Sequence, residues 1–360
     1  MSTLYGVIMA GGRGTRFWPL SRRRMPKQLM KFLGSETLLG RTVERLKPLI
    51  PPERLLIVTG VEHARKIRSQ YSEIPGKNIL AEPEGRNTAP CIGYAACEIA
   101  RREEGATMGV FPADHVISKE PEFRKLLKGA ARLLSSRPEA LITFGMQPTR
   151  PATGYGYIKL GSEVARTGNR PVYAVAAFVE KPDLAAARRY VKSPRYLWNG
   201  GMFLWRVDAI RSAFDTHLPE MSQGLEAIDG ILGRRNASRR LKDIYPQLPA
   251  VSIDYGVMER AETALVIPCD VGWTDVGSWK SLADVLGANE EGNVVEGDHL
   301  GLESAGNVVF SPRRLVATIG VDDLIVVVTD DVVLVCPKER DQDVGRLVED
   351  LQARGLGRYL

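Results

Sequence analysis

The chain has 360 residues, 44% hydrophobic and 26% charged, which are ordinary values for a globular protein. Its net charge of +6 is mild and spread out, and no zinc-finger or RNA-binding signature accompanies it, so we expect no nucleic acid partner. The four cysteines and four histidines lack the paired spacing of a zinc site or disulfide framework. Because no signal peptide and no apolar run of about 18 residues is found, we expect a cytoplasmic protein with no membrane partner.

Apolar runs alternate with amphipathic segments through the first half of the chain. The apolar runs predict strands at 4–10, 55–59, 79–82, 107–111 and 141–145. The amphipathic segments predict helices at 37–47, 62–71, 88–102 and 122–134. This alternation predicts an α/β fold with a doubly wound sheet, in which ligands bind at the carboxyl ends of the strands.

The second half mixes strands and helices before it becomes rich in short strands. We expect strands at 155–160, 172–180, 202–207 and 264–269, and helices at 183–191, 207–217, 255–261 and 278–286. A polar, glycine-bearing linker at 287–292 precedes predicted strands at 293–296, 308–311, 315–319, 324–329 and 332–336 and a helix at 343–353. The pattern therefore predicts a doubly wound mixed sheet at 1–287 and a small C-terminal β domain at 288–360.

A glycine-rich, cationic loop follows the first predicted strand. Its glycines allow a sharp turn and a close approach to a ligand, and its cations suit a polyphosphate. The spacing matches neither a P-loop nor a dinucleotide-binding fingerprint, since no Lys-Ser/Thr pair and no third spaced glycine is present. A solvated surface loop is the alternative. The residues concerned are Gly11, Gly12, Arg13, Gly14, Arg16, Arg22, Arg23, Arg24 and Lys27.

The sequence EPEGRNTAP begins at Glu82, where a predicted strand ends and a helix begins. A loop that holds an acid, Arg86 and Asn87 can read the edge of a nucleotide base. Simple capping of the helix by Asn87 or Thr88 explains the same residues, and both interpretations stay open.

Two aspartates are candidate metal ligands. Asp114 of FPADH lies just past a buried strand, where a carboxylate needs a partner, and a helix cap is its alternative role. Asp275 lies between two tryptophans in WTDVGSW, although those tryptophans can equally be core anchors. Hard oxygen ligands of this kind suit Mg²⁺ beside phosphates.

Glu180 and Lys181 of FVEKP come at the end of a predicted strand. If the strand continues, the two side chains point to opposite faces and need not pair. One can accept hydrogen bonds from sugar hydroxyls while the other meets a phosphate, but an ordinary charged strand end is the simpler explanation. Asn199 of WNGGMF lies on a glycine bend that suits close contact with a sugar.

These motifs, in this order and together with SIDYGVME, resemble those of the bacterial mannose-1-phosphate guanylyltransferases, which are sugar nucleotidyltransferases. The resemblance covers about residues 3–286. It implies a Rossmann-like, GT-A-like fold, Mg²⁺ as cofactor, and conversion of GTP and mannose 1-phosphate to GDP-mannose and diphosphate. The tail resembles the β-helical region of relatives that dimerise, so a homodimer is expected. A different sugar 1-phosphate or nucleotide, or a non-catalytic subunit that senses nucleotide sugars, remain the alternatives.

The resemblance also implies roles for individual residues. The triphosphate would be bound by Gly11, Gly12, Arg13, Gly14, Thr15, Arg16 and Lys27, and the guanine by Glu82, Arg86, Asn87 and Thr88. The sugar phosphate would contact Gly156, Glu180, Lys181 and Asn199. Mg²⁺ would be held by Asp114 and Asp275, and catalysis would depend on Arg16, Lys27, Asp114 and Asp275.

Overall fold

The computed structural model describes residues 2–12, 14–32 and 34–360. The chain forms two compact units that are each discontinuous in sequence. The first unit comprises Met1–Gly11, Thr42–Ala113 and Ile117–Trp273, and the second comprises Gly12–Arg41, Asp114–Val116 and Thr274–Leu360. The domain boundary that we expect at residue 287 stays a prediction.

The order of elements alternates strands and helices through most of the chain. The strands are β1 (Leu4–Met9), β2 (Leu55–Gly60), β3 (Ile79–Glu82), β4 (Thr107–Pro112), β5 (Val116–Ile117), β6 (Leu141–Met146), β7 (Tyr157–Thr167), β8 (Arg170–Val179), β9 (Tyr196–Arg206), β10 (Ala264–Cys269), β11 (Trp273–Thr274), β12 (Val294–Leu302), β13 (Val308–Ile319), β14 (Leu324–Val328) and β15 (Val333–Pro337). The helices are α1 (Leu38–Leu46), α2 (Val61–Gln70), α3 (Thr88–Arg102), α4 (Glu120–Leu133), α5 (Leu184–Val191), α6 (Val207–His217), α7 (Pro219–Asp229), α8 (Ala237–Ile244), α9 (Trp279–Leu286) and α10 (Val344–Ala353).

A mixed nine-stranded sheet with the order β3-β2-β1-β4-β9-β6-β10-β8-β7 forms the centre of the first unit. The strands β3, β2, β1 and β4 are parallel, whereas β9 runs antiparallel to both β4 and β6. The four parallel strands are apolar runs buried on both faces, which is the pattern of a sheet covered by helices. The predicted fold class, a doubly wound mixed sheet, is therefore confirmed.

Helix α3 packs closely on its neighbours because its residues are small. A Cβ added at Gly93 would lie 2.7 Å from a terminal methyl group of Leu225 in α7, so the glycine lets this side chain pack against the helix backbone. The core around α3 also contains Trp205, Phe214 and Tyr245. None of the helices in the part of the chain described by the structure has the length and apolar character of a membrane span.

In the second unit, β12, β13, β14 and β15 form a four-stranded sheet. Its core is aromatic: the ring centroid of Trp279 lies 5.3 Å from that of Phe17 and 5.6 Å from that of Phe310. Trp279 is fully buried, so this tryptophan of WTDVGSW is a core anchor. Its packing against Phe17 holds the glycine-rich loop beside the segment that carries Asp275.

Several predicted elements differ from those in the structure. Helices α7 and α8 were not expected, and the predicted helix at 255–261 is a π-helical turn at Asp254–Met258. The predicted strands at 308–311 and 315–319 are one strand, β13. The two aspartates at 330 and 331 do form a turn, and this turn joins the antiparallel strands β14 and β15.

Candidate active site

The glycine-rich loop leaves β1 and turns at Gly14, whose φ of 62° lies in the left-handed region. A Cβ at this position would overlap the Cβ of Lys27, so only glycine lets the two parts of the loop meet. The hydroxyl of Ser21 closes the turn by donating to the carbonyl oxygen of Gly14 at 2.6 Å. A Cβ at Gly12 would have no heavy atom within 4 Å, so that backbone faces open space.

Two further residues of the loop, Thr15 and Arg16, are accessible to solvent. Thr15 and Arg16 lie exposed in a single 3₁₀ turn, Thr15–Phe17. Nη1 of Arg16 donates to Oε1 of Gln342 at 2.8 Å, which is a contact with the C-terminal part of the second unit. Arg13 lies outside the described residues.

The side-chain amine of Lys27 contacts both residues predicted to bind the metal, Asp114 and Asp275. Its Nζ atom donates to Oδ2 of Asp114 at 2.8 Å and to the backbone oxygen of Asp275 at 2.9 Å. Lys27 is only 5% exposed, and Phe17 lies beneath it with the ring centroid 5.5 Å from Nζ. Three segments that are far apart in sequence therefore meet at a single positive charge.

The carboxylate of Asp114 is held in its charged form. Burial raises the pKa of Asp114, but the charge of Lys27, with His115 and the hydrogen bond from Lys27, outweighs burial, and the net pKa lies below its usual value. Asp114 thus carries a negative charge at neutral pH without serving as a helix cap, which was its alternative role.

The backbone around Asp275 is strained. Oδ1 of Asp275 accepts from the N–H of Gly277 at 3.1 Å, and a Cβ at Gly277 would lie 2.7 Å from Oδ2. Val276 between them has a φ of 43°, which is unfavourable for a β-branched residue. Such strain persists where the surrounding structure demands a particular geometry, often at functional sites.

Asp114 and Asp275 fit a magnesium ion in their chemistry. No group of three or more His, Cys, Asp or Glu residues in the described ranges 2–12, 14–32 and 34–360 is arranged to hold a metal. Mg²⁺ is commonly bound by one or two carboxylates, with water and substrate phosphates completing its shell. The carboxylates of Asp114 and Asp275 match this donor set.

A second group of predicted residues lies in the first unit around Glu82. The Glu82 side chain is 4% exposed, and its Oε1 accepts a hydrogen bond from the hydroxyl of Tyr245. A Cβ at Gly11 would lie 3.2 Å from Oε2 of Glu82, so the missing side chain keeps room for this carboxyl. Burial raises the pKa of Glu82 to about 7, Tyr245 opposes this rise, and Glu62 adds to it.

The loop after Glu82 is held by hydrogen bonds close to its junction with α3. Arg86 donates from Nε to the backbone oxygen of Leu248 at 2.6 Å and forms an ion pair with Glu84. Asn87 caps α3 by accepting from the N–H of Thr88 at 2.9 Å, with a φ of 71°. The capping role of Asn87 is thereby confirmed, and a base-reading role stays a prediction.

The predicted sugar-phosphate residues form a third group, also in the first unit. Strand β8 ends at Val179, so it does not continue to Glu180 and Lys181, and the condition for placing the two side chains on opposite faces is not met. Lys181 adopts a φ of 47° and its Nζ lies 3.7 Å from Oε1 of Glu180. A Cβ at Gly156 would overlap Oε2 of Glu180 and lie 3.4 Å from the Cβ of Asn199. The structure therefore brings Gly156, Glu180 and Asn199 together.

Two carboxylates in this third group are costly to ionise. Burial and, to a smaller extent, the charge of Asp254 raise the pKa of Glu180 to about 7, against the opposing effect of Lys181. Burial also raises the pKa of Asp254, although the hydrogen bond from Asn199 opposes it. Clustered, perturbed carboxylates of this kind are typical of functional sites.

Sequence reasoning missed Tyr245 and Asp254. Tyr245 lies 163 positions from the glutamate that it contacts, and an isolated tyrosine carries no motif. Asp254 did lie in a recognised motif, SIDYGVME, but that motif suggested no role for it. Only the folded chain shows that each of these residues contacts a predicted site residue.

Comparison with known proteins gives consistent matches over nearly the whole chain. Residues 5–291 match the family model described as Nucleotidyl transferase, and residues 297–351 match the MannoseP isomerase/GMP-like beta-helix domain. The mannose-1-phosphate guanylyltransferase of Escherichia coli (strain K12) is 39% identical over 359 residues, which are 98% of this chain and 74% of that protein. The Xanthan biosynthesis protein XanB of Xanthomonas campestris pv. campestris (strain B100) is 39% identical over 99% of this chain and 74% of its own length.

A solved structure is similar in both fold and sequence. The crystal structure described as mannose-1-phosphate geranyltransferase from Thermus thermophilus superimposes with a TM-score of 0.85 at 38% identity. The match covers 97% of this chain and 99% of that chain. A mixed α/β enzyme fold followed by a small β domain is therefore shared along the full length.

Proposed function

We propose that this chain, which belongs to the nucleotidyl transferase family, is a mannose-1-phosphate guanylyltransferase. The observation that carries the proposal is the contact of the loop lysine, Lys27, with Asp114 and Asp275. We assign binding and transfer of the nucleotide to these three residues. The names of relatives that are 39% identical over 98–99% of the chain support the choice of GTP and mannose 1-phosphate as substrates.

The reaction is a displacement at phosphorus. A phosphate oxygen of mannose 1-phosphate forms a bond to the α-phosphorus of GTP, and the bond from that phosphorus to the oxygen that bridges to the β-phosphorus breaks. The electron pair leaves with diphosphate, and GDP-mannose remains. The attacking oxygen is anionic at neutral pH, so no general base is needed, and catalysis rests on positioning and charge neutralisation.

Lys27 acts on the leaving group. Its amine has three N–H donors, of which two bind Asp114 and Asp275, so one remains to donate to the departing diphosphate. Arg16 supplies a second cation from the same loop, and the backbone N–H groups of Gly11, Gly12, Arg13, Gly14 and Thr15 contact the triphosphate. Because Lys27 is buried and held by two acceptors, its charge needs little reorganisation during the reaction.

Asp114 and Asp275 hold the metal, for which we propose Mg²⁺. When bound, the ion would neutralise negative charge on the triphosphate. The charged state of Asp114, whose pKa the Lys27 amine keeps low against the effect of burial, supports this role. The backbone strain at Val276 supports it for Asp275.

The first unit supplies recognition of the two organic groups. Glu180 accepts hydrogen bonds from mannose hydroxyls, Asn199 contacts the same sugar, and Lys181 holds the attacking phosphate. Gly156 leaves space beside Glu180, where a side chain would overlap. Guanine is read by Glu82, with Arg86, Asn87 and Thr88 from the same loop.

We also propose a cytoplasmic homodimer with a catalytic domain at 1–287 and a small β domain at 288–360. All four cysteines are free thiols, which suits a reducing compartment. Exposed apolar side chains lie on β12, β13 and β15, among them Leu300, Ile319 and Val333, and a second copy would cover them. Light scattering after size exclusion at micromolar concentration should give twice the chain mass of 39.7 kDa.

A diphosphate-release assay tests the proposal. The purified chain is offered GTP, UTP and dTTP, each with mannose 1-phosphate or glucose 1-phosphate, in the presence of Mg²⁺. We expect the highest kcat/KM with GTP and mannose 1-phosphate. Faster turnover of another pair would replace the substrate assignment, and binding of nucleotide sugars without any turnover would favour a sensing subunit.

A further inference from the structure

Hydrogen bonds hold both the nitrogen and the oxygen of the Asn199 side-chain amide. Its Nδ2 donates to Oδ1 of Asp254 at 2.8 Å, and its Oδ1 accepts from the hydroxyl of Thr143 at 3.2 Å and from the N–H of Gly201 at 3.1 Å. A flipped amide would place its oxygen against the Asp254 carboxylate and its N–H₂ group against the Gly201 N–H. The acceptor at Asp254 therefore selects one orientation of Asn199.

Asp254 is itself held on a rigid part of the first unit. It begins the π-helical turn Asp254–Met258, a kind of turn that is frequent at functional sites. The preceding residues are fastened to the start of α3, because Ile253 N–H donates to Oγ1 of Thr88 at 2.8 Å and Ala89 N–H donates to the oxygen of Val251 at 3.1 Å. A group on such a support positions its partner well.

Asp254 also acts on Glu180 through its charge. The groups that surround Glu180 are Lys181 at 3.7 Å, Asp254, Glu259 and the hydroxyl of Tyr255. The Asp254 charge adds to burial in raising the pKa of Glu180 to about 7. Asp254 thus touches one predicted sugar-binding residue and influences another.

We propose that Asp254 is a positioning residue for the sugar 1-phosphate, which it serves by orienting the Asn199 carboxamide. The inference rests on the proposed function only for the identity of the ligand. It predicts that Asp254 affects the sugar phosphate and leaves the nucleotide unaffected.

Three variants test this role: Asp254→Ala, Asp254→Asn, and the control Glu262→Gln, which removes an exposed carboxylate eight positions along the chain. KM for mannose 1-phosphate, KM for GTP and kcat are measured at pH 8, and binding of mannose 1-phosphate is measured by calorimetry. Asp254→Ala should raise KM for the sugar phosphate about 10- to 100-fold and change KM for GTP less than about twofold. Glu262→Gln should match the parent.

Asp254→Asn separates orientation from charge. Its side-chain oxygen still accepts from Asn199, so it should recover most of the affinity lost in Asp254→Ala. The ionised carboxylate of Glu180 is the form that accepts hydrogen bonds from the sugar hydroxyls in the proposed function. Removing the charge at position 254 makes Glu180 easier to ionise, so its pKa falls and the acidic limb of kcat/KM for the sugar phosphate moves to lower pH. A merely structural residue would leave this limb in place.

The outcomes distinguish this inference from the proposed function. If the parent prefers another sugar 1-phosphate, the proposed substrate is wrong, and the same variants are measured with the preferred sugar. If Asp254→Ala raises both KM values equally, or if Asp254→Asn leaves the acidic limb unmoved, the positioning role is overturned. If Asp254→Ala does not fold, the pH of the acidic limb of kcat/KM in Asp254→Asn tests the positioning role.

Discussion

The side-chain amine of Lys27 lies 2.8 Å from Oδ2 of Asp114, although 87 positions of sequence separate the two residues. The amine also contacts the backbone of Asp275, 248 positions away. These contacts hold one cation against the carboxylate of Asp114 and the backbone of Asp275, and we propose that this cation binds phosphate. Catalysis by positioning depends on such prearranged contacts.

Lys27→Ala should lower kcat far more than it weakens binding of mannose 1-phosphate. The variant loses the donor that we propose stabilises the leaving diphosphate, and loss of a single such donor typically reduces kcat by about 10²- to 10³-fold. Steady-state kinetics with both substrates varied measures the two effects. Lys31→Ala, which removes an exposed lysine of the same loop, is the control. A large rise in KM for the sugar phosphate at unchanged kcat would contradict the role.

Asp275→Ala should abolish most turnover even when nucleotide and Mg²⁺ are saturating. The carboxylate is a proposed metal ligand, and its loss removes charge neutralisation that the reaction needs. The control is Asp270→Ala. Asp270 lies five positions before Asp275, and its exposed carboxylate forms an ion pair with Lys119. Intact turnover of Asp275→Ala across a magnesium titration would show that the metal assignment is wrong.

Gly14→Ala should destabilise the second unit, whereas Gly12→Ala should not. Alanine at position 14 must adopt a φ of 62° and would overlap the Cβ of Lys27. The left-handed backbone alone costs about 1–2 kcal/mol. At position 12 the added methyl group meets no atom within 4 Å. Urea denaturation compares the two variants, and equal free energies of unfolding would refute the proposed close contact.

Glu82→Gln should stabilise the fold at pH 8 and much less at pH 5. Since burial raises the pKa of Glu82 from 4.5 to about 7, ionised Glu82 costs folding free energy above pH 7, by about 3 kcal/mol at most. The cost falls as pH drops from 7 towards 4.5, because the folded state then binds the proton. Glutamine cannot ionise, so it avoids this cost, and its side-chain oxygen can still accept the hydrogen bond from the Tyr245 hydroxyl.

The free energy of unfolding at the two pH values measures this effect. Glu84→Gln, at an exposed glutamate in the same loop, controls for the loss of one negative charge. A stabilisation by Glu82→Gln that is the same at pH 5 and pH 8 would contradict a raised pKa. Weaker binding of GTP by the same variant would separately support the role of Glu82 in reading guanine.

The strands of the first half could be predicted because each is a short apolar run buried on both faces, as in β1 and β4. Helices α7 and α8 were not predicted: α7 contains a glycine and a proline, and α8 is short and strongly charged. Leu225 of α7 fits against Gly93 of α3, which lies far away in sequence.

Some residues of the candidate site could likewise be predicted from sequence, whereas some of its contacts could not. Gly14, Asp114 and Glu180 could be found from sequence because each lies in a short motif near the end of a strand. The contact between Tyr245 and Glu82 could not be found, nor could that between Asp254 and Asn199, because they depend on the folding of distant segments together. The strand end at Val179 likewise depends on local geometry that periodicity does not show.

The segment that runs from Tyr245 to Asp254 bears on any attempt to redesign the base preference. It contacts Glu82 through Tyr245, Arg86 through the oxygen of Leu248, and Asn199 through Asp254. In the proposed function the loop at 82–88 reads the base. Mutations that reshape this loop for a different base would displace the segment and shift the support of Asn199. Exchange of the nucleotide and retention of the sugar would therefore have to be selected together, with compensating changes between residues 245 and 254.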